Sequence, residues 1–140
     1  MIELVIGLKG SGKTKMFVDK VNSASKVSKG DVVCVEFGKK LTFNVNMNVR
    51  LIDIIDYGIN TSEELYGLVC GIIASNYDIT EIYIDSALKM CDNKVDEFER
   101  FMLKLAERAE KYNIKCFITS SITEEDLPAS LKGFVVEIEG

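Results

Sequence analysis

The chain has 140 residues, enough for one domain whose single core buries roughly two-thirds of the unfolded surface. Apolar residues make up 47% and charged residues 28%, and no apolar run approaches the ~20 residues of a membrane span, so no transmembrane segment is expected. A net charge of -5 argues against a sequence-independent grip on nucleic acid, and the absence of histidine excludes Ser-His and Cys-His nucleophilic machinery.

In chain order, Ile2–Ile6 reads as a first strand, and no basic, apolar leader stands before it, so a cytoplasmic protein is expected. Gly7–Thr14 follows as Gly-Leu-Lys-Gly-Ser-Gly-Lys-Thr, and a helix with Phe17, Val21 and Ala24 on its apolar stripe runs from about Lys13 to Ala24. After the Lys29-Gly30 turn, Val32–Phe37 is a short apolar run expected to be buried on both faces, with Glu36 near its end. From Leu41 to Val49, apolar Leu41, Phe43, Val45, Met47 and Val49 alternate with polar residues, which predicts an edge strand or hairpin with one wet face.

Arg50–Ile55 reads as another strand, and Thr61-Ser-Glu-Glu64 has capping-box spacing ahead of a helix carrying Leu65, Leu68, Val69, Ile72 and Ile73. Glu81–Asp85 is a strand ending in a carboxylate. The longest helix, about Asn93–Tyr112, aligns Val95, Phe98, Met102, Leu105, Ala109 and Tyr112 on one face, with Asp92 or Asn93 as its cap. Asp96 and Arg100, and Glu107 and Lys111, are spaced to pair on its wet side. Ile114–Thr119 is a further strand, Thr123–Leu127 a helical turn, and Phe134–Ile138 a last edge strand. Strands alternating with helices predict an α/β, three-layer fold in one domain spanning residues 1–140, with a mostly parallel sheet and antiparallel edge strands.

Gly7–Thr14 fits GxxxxGK[ST], and a chance match in 140 residues has odds on the order of a few in a thousand. Its glycines permit torsions that turn successive N–H groups inward around a phosphate. The residues placed against the phosphates are therefore Leu8, Lys9, Gly10, Ser11, Gly12, Lys13, Thr14 and Lys15. Lys13 reaches the β- and γ-phosphates, the Thr14 hydroxyl binds Mg²⁺, and the helix dipole adds attraction. The bland alternative is a glycine turn joining a strand to a helix.

A second acidic group must hold the Mg²⁺ water shell, and Asp85 is the candidate, against the alternative of a plain strand-to-loop signal. Glu36 would face the γ-phosphate end and orient or deprotonate water if its strand neighbours the first. The four cysteines, Cys34, Cys70, Cys91 and Cys116, are spread too far apart for a CxxC pair and read as buried thiols.

The run Ile82-Tyr-Ile-Asp-Ser-Ala-Leu88 resembles the Walker B segment of RecA-like ATPases within the P-loop NTPases, and short uncharacterised bacterial P-loop proteins are similar in length. The resemblance implies a catalytic glutamate at Glu36, a γ-phosphate sensor at Ser120 or Ser121, and ATP with Mg²⁺ as ligands, so Lys13, Glu36 and Asp85 are the implied catalytic residues. The DNA-binding loops of recombinases have no counterpart. Asn93-Lys-Val-Asp96 fits the NKxD guanine signature but stands at a helix start, the wrong context, so ATP is favoured over GTP.

Three functions compete. The first is a Mg-dependent ATPase that couples nucleotide state to a protein partner or to its own oligomer. The second is a nucleotide-sensing module without useful hydrolysis. The third is a small nucleoside or metabolite kinase, disfavoured because Arg50, Arg100 and Arg108 are the only arginines and no zinc-ribbon cysteines are present.

Overall fold

The computed structural model describes residues 1–42 and 44–139. Strand β1 (Ile2–Gly7) leads through the glycine-rich loop into helix α1 (Lys13–Val27), which returns the chain to β2 (Asp31–Glu36). Then come β3 (Arg50–Asp53), a 3-10 turn at Ile54–Tyr57, α2 (Ser62–Ser75), β4 (Ile79–Ile84), the single turn α3 (Ala87–Met90) and α4 (Val95–Tyr112). β5 (Lys115–Ser121), a 3-10 segment at Ala129–Phe134 and β6 (Val135–Glu139) complete the order. Among the described residues no helix is long and apolar enough to cross a membrane.

The six strands form one sheet in the order β3-β2-β4-β5-β1-β6, and every pair is parallel. The expectation of an antiparallel edge strand is therefore corrected at both edges. On one side the edge is β3, parallel to β2. On the other, the connection from β5 to β6 is long enough to cross over and bring β6 in beside β1 in the same direction, where a tight hairpin would have reversed it.

The alternation predicted over Leu41–Val49 does not become a strand. Leu41, Val45 and Val49 are buried at a spacing of four, whereas Met47 is fully exposed; Phe43 lies outside the described residues. The asparagines explain the difference, because their amides compete with a strand ladder for backbone groups. Asn22 Oδ1 accepts from the Asn46 N–H at 2.8 Å, Asn22 Nδ2 donates to the Asn44 carbonyl at 2.8 Å, and Asn48 Nδ2 donates to the Ser25 carbonyl at 3.0 Å. These bonds tie the segment to α1 as a series of turns. β3 likewise stops at Asp53, whose carboxylate accepts from the Ile55 N–H and starts the 3-10 turn.

Alternation within each strand divides the core between two faces. Val5, Cys34, Tyr83 and Phe117 point to the α1 face, where Phe17 and Val21 meet them; Leu4, Ile6, Val33, Val35, Ile82, Ile84 and Ile118 point to the face covered by α2 and α4. Phe17 stands edge-on to Tyr83 with centroids 5.9 Å apart and lies 6.1 Å from Phe117, which seats the first half of α1 on the sheet. On α2 half of the expected capping box forms: Thr61 Oγ1 accepts from the Glu64 N–H at 3.1 Å, while the Glu64 carboxylate accepts from the Asn60 N–H at 2.9 Å rather than from Thr61.

The start of α4 differs from expectation. Asp92 and Asn93 have left-handed torsions in the turn out of α3, Lys94 is the cap residue without a side-chain bond, and Arg100 pairs with Glu97 at 3.2 Å. Tyr112, expected on the apolar face, is exposed.

Candidate functional site

Because all strands run one way, their carboxyl ends gather at one edge, where ligands bind in open α/β sheets. Gly7, Glu36, Asp53, Asp85 and Ser121 all come to that edge. Register decides which of them meet. Ile84 lies opposite Ile118, so Asp85 falls beside Thr119, and Gly7 lies opposite Ser121.

The loop from Gly7 to Gly12 is closed by the Ser11 N–H donating to the Leu8 carbonyl at 3.2 Å. Gly10 at φ 87° and Gly12 at φ 97° hold conformations that L-residues avoid, although a Cβ at either would meet nothing within 4 Å. Backbone shape, not space, requires these glycines. Gly12 caps α1 with no side-chain bond, so the first N–H groups of the helix stay unpaired within it. No acidic residue stands in the first turn of α1; Lys13 and Lys15 stand there instead. Cations at a helix N-terminus oppose the dipole, at about 0.3–1 kcal/mol each, a cost that an anion at this point would reverse.

Lys13 is buried, and its Nζ donates to the carbonyls of Gly7 and Leu8, both at 2.8 Å, and to Ser11 Oγ at 3.3 Å. Burial lowers its pKa from the ordinary lysine value, partly offset by the charges of Asp85 and Glu139.

In front of the loop lies a cavity of ≈ 630 Å³. Among the described residues five lysines line it, Lys9, Lys13, Lys15, Lys40 and Lys89, against one carboxylate, Asp85. Such a wall in a chain of net charge -5 is a concentrated anion-attracting field. A larger cavity of ≈ 760 Å³ follows the free edge of β3, and among the described residues its charged lining consists of Asp31 and Arg50. It brings no reactive groups together.

Asp85 is buried at the end of β4, and Oδ1 accepts from Thr119 Oγ1 at 2.6 Å. Thr119 Oγ1 in turn accepts from the Ser86 N–H at 2.9 Å, holding Ser86 in a left-handed conformation at φ 66°. Burial raises the pKa of the Asp85 carboxyl; the Thr119 hydroxyl and the charges of Lys40 and Lys13 act in the opposite direction. Among the described residues no cluster of three or more His, Cys, Asp or Glu could cage a metal, so a cation here would depend on Asp85, a hydroxyl and its own anion.

Of the expected site residues, the cavity brings together Lys9, Gly10, Gly12, Lys13, Thr14, Lys15 and Asp85, while Leu8 and Ser11 lie in the loop outside its lining. Glu36 stands apart. β4 and β5 separate β2 from β1, and the buried Glu36 carboxylate accepts from the Leu41 N–H at 2.9 Å without lining the cavity. The condition that would have aimed it at the loop, β2 next to β1, is not met. Ser120 is fully buried with its Oγ accepting from the Leu88 N–H at 3.2 Å, whereas Ser121 lines the cavity. Asn93 also lines it, but Asp96 does not, which separates the two halves of the NKxD pattern.

Residues that the sequence did not single out complete this edge. Asp53, at the tip of β3, accepts from the Gly38 and Ile55 N–H groups with Oδ1, both at 3.0 Å, and leaves Oδ2 buried without a partner. Its signal was present as an apolar run stepping to an acid at Ile52-Asp53, the same step seen at Glu36 and Asp85. Lys40 and Lys89 carried no local signal, and Thr119 stood in the same polar strand tip as Ser120 and Ser121 without being singled out. The chain matches no known protein-family model and no curated protein.

Proposed function

We propose that this chain is a P-loop nucleotide-binding protein that takes Mg-ATP in the cavity between the Gly7–Lys15 loop and Asp85, and that it works as an ATPase on the RecA-like pattern. One observation carries the reading: a GxxxxGK[ST] sequence opens α1 at the carboxyl end of β1, facing a cavity walled by five lysines and one carboxylate.

In this reading the unpaired N–H groups of the loop and of the first turn of α1 receive phosphate oxygens, and Lys13 exchanges its carbonyl partners for the β- and γ-phosphates. Thr14 and Asp85 would hold Mg²⁺, which when bound neutralises charge between those phosphates. Thr119 fixes the Asp85 carboxylate in place. Glu36, which does not line the cavity, would orient the attacking water only after releasing the Leu41 N–H and turning toward the loop.

That last requirement favours a second reading. With Glu36 buried and bonded to Leu41, the chain would act as a nucleotide sensor that does not turn over. The partner of either form is a second protein or another copy of this chain.

A melting assay with nucleotide at about 100 times its dissociation constant adds roughly 2.7 kcal/mol, about 9 °C for a 140-residue domain. Mg-ATP is expected to give that shift in the wild type and none in Lys13→Ala. An unchanged shift in Lys13→Ala would overturn the site. Phosphate release that disappears in Glu36→Gln supports the ATPase; binding without release supports the sensor.

A further inference from the structure

The lysines of the cavity come from two walls. Lys9, Lys13 and Lys15 belong to the loop and its helix; Lys40 comes from the β2–β3 connection and Lys89 from α3, on the side of Asp85. We infer that Lys40 and Lys89 form a clamp, supplied in cis, for the terminal phosphate of the bound nucleoside triphosphate, and that this clamp distinguishes triphosphate from diphosphate. The inference rests on the nucleotide reading above and names what the second wall recognises.

The backbone that presents Lys40 is held from both sides. The Gly38 N–H is bonded to Asp53 Oδ1 at 3.0 Å, and the Leu41 N–H to Glu36 Oε1 at 2.9 Å. These are buried carboxylates at the tips of adjacent strands, in register as Glu36 opposite Asp53. Between the two anchors, Gly38 at φ 91° and Lys39 at φ 56° take left-handed torsions, a strained course for Lys39. The two bonds fix the backbone on either side of Lys40.

Lys39 is paired outward with Asp56 at 2.8 Å, but neither Lys40 nor Lys89 forms an ion pair among the described residues. Lys89 is steadied over the Phe37 ring at 4.5 Å, a residue of the same connection. Like charges are thus gathered rather than dispersed, and the ammonium groups of Lys40 and Lys9 help to lower the Lys89 pKa, after burial. None of the three arginines lines the cavity, so among the described residues Lys40 and Lys89 are the lining cations outside the loop and its helix.

The test compares affinities for Mg-ATP, Mg-ADP and inorganic tripolyphosphate by calorimetry in the wild type, Lys40→Gln, Lys89→Gln and the double variant. Lys29→Gln, whose charge lies at the opposite end of β2, serves as control. Lys40 and Lys89 are exposed, so their variants are expected to melt with the wild type. Losing a charge-assisted contact is expected to weaken ATP and tripolyphosphate on the order of tenfold per lysine, and ADP far less, so the ATP-to-ADP preference collapses. An unchanged preference in the double variant overturns the clamp while leaving the nucleotide site intact. A wild type that binds tripolyphosphate through these lysines but no nucleotide overturns the nucleotide reading and the clamp as a reader of nucleotide. Binding of none of the three overturns both.

Discussion

Thr119→Val tests the link between β5 and the end of β4. Valine keeps the shape of the side chain and removes the hydroxyl, which donates to Asp85 Oδ1 at 2.6 Å and accepts from the Ser86 N–H at 2.9 Å. A hydrogen bond to a charged group contributes about 1.5–3 kcal/mol, and an orphaned N–H costs about 1–3 kcal/mol, reduced here because Ser86 is half-exposed and water can reach it. A total of about 3 kcal/mol follows. With an unfolding entropy of about 0.3 kcal/mol/K for 140 residues, the Tm should fall by about 10 °C. Thr119→Ser keeps the hydroxyl and loses one buried methyl, worth about 1 kcal/mol, so it should fall by only about 3 °C. Differential scanning calorimetry of the three proteins, with and without Mg-ATP, measures both effects, and the stabilisation by Mg-ATP should also shrink in the valine variant. A Thr119→Val protein melting within about 2 °C of the wild type, or a serine variant equally damaged, would refute the assigned hydroxyl geometry.

Two further outcomes follow from the same edge of the sheet. Burial raises the Asp85 pKa above that of the unfolded chain, so the folded state binds this proton more tightly. The associated stability is fully present below the unfolded value of about 3.9 and is lost as pH rises through the folded value. Asp85→Asn, which carries no charge, should therefore melt above the ligand-free wild type at neutral pH. The advantage should narrow as the pH is lowered toward about 4 and the Mg²⁺ dependence of nucleotide binding should vanish; a melting difference independent of pH would contradict the buried charge. At Gly7, an added Cβ would stand 2.4 Å from the Glu139 carbonyl oxygen, so Gly7→Ala must push β6 away from β1. Hydrogen exchange should then accelerate across Val135–Glu139 while the amides of β4 keep their protection, and uniform exchange across both strands would rule out this local contact.

The Gly7–Thr14 motif was legible because it lies within eight consecutive residues: glycines for the torsions, a lysine and a hydroxyl. The α/β class, most elements and the cap at Thr61 were legible for the same reason, since periodicity and capping act over one to four residues. The reading failed over Leu41–Val49, where a local period of two yielded to the bonds of Asn22 and Ser25 with the asparagine segment, contacts made more than twenty positions away along the chain.

Strand order was settled only by the tertiary structure. It separated Glu36 from the loop by two strands, laid Asp85 beside Thr119 across 34 positions, and turned β6 parallel. It also brought Lys40 and Lys89 to the cavity that Lys13 lines. Neither lysine differs in its local sequence from a solvated one, so their convergence is a property of the folded sheet and its crossovers. By itself the sequence determined the chemistry that one short loop offers; the packing of distant strand ends decided which groups stand opposite it, because side chains so far apart in the chain are brought together only when register and crossover direction are set.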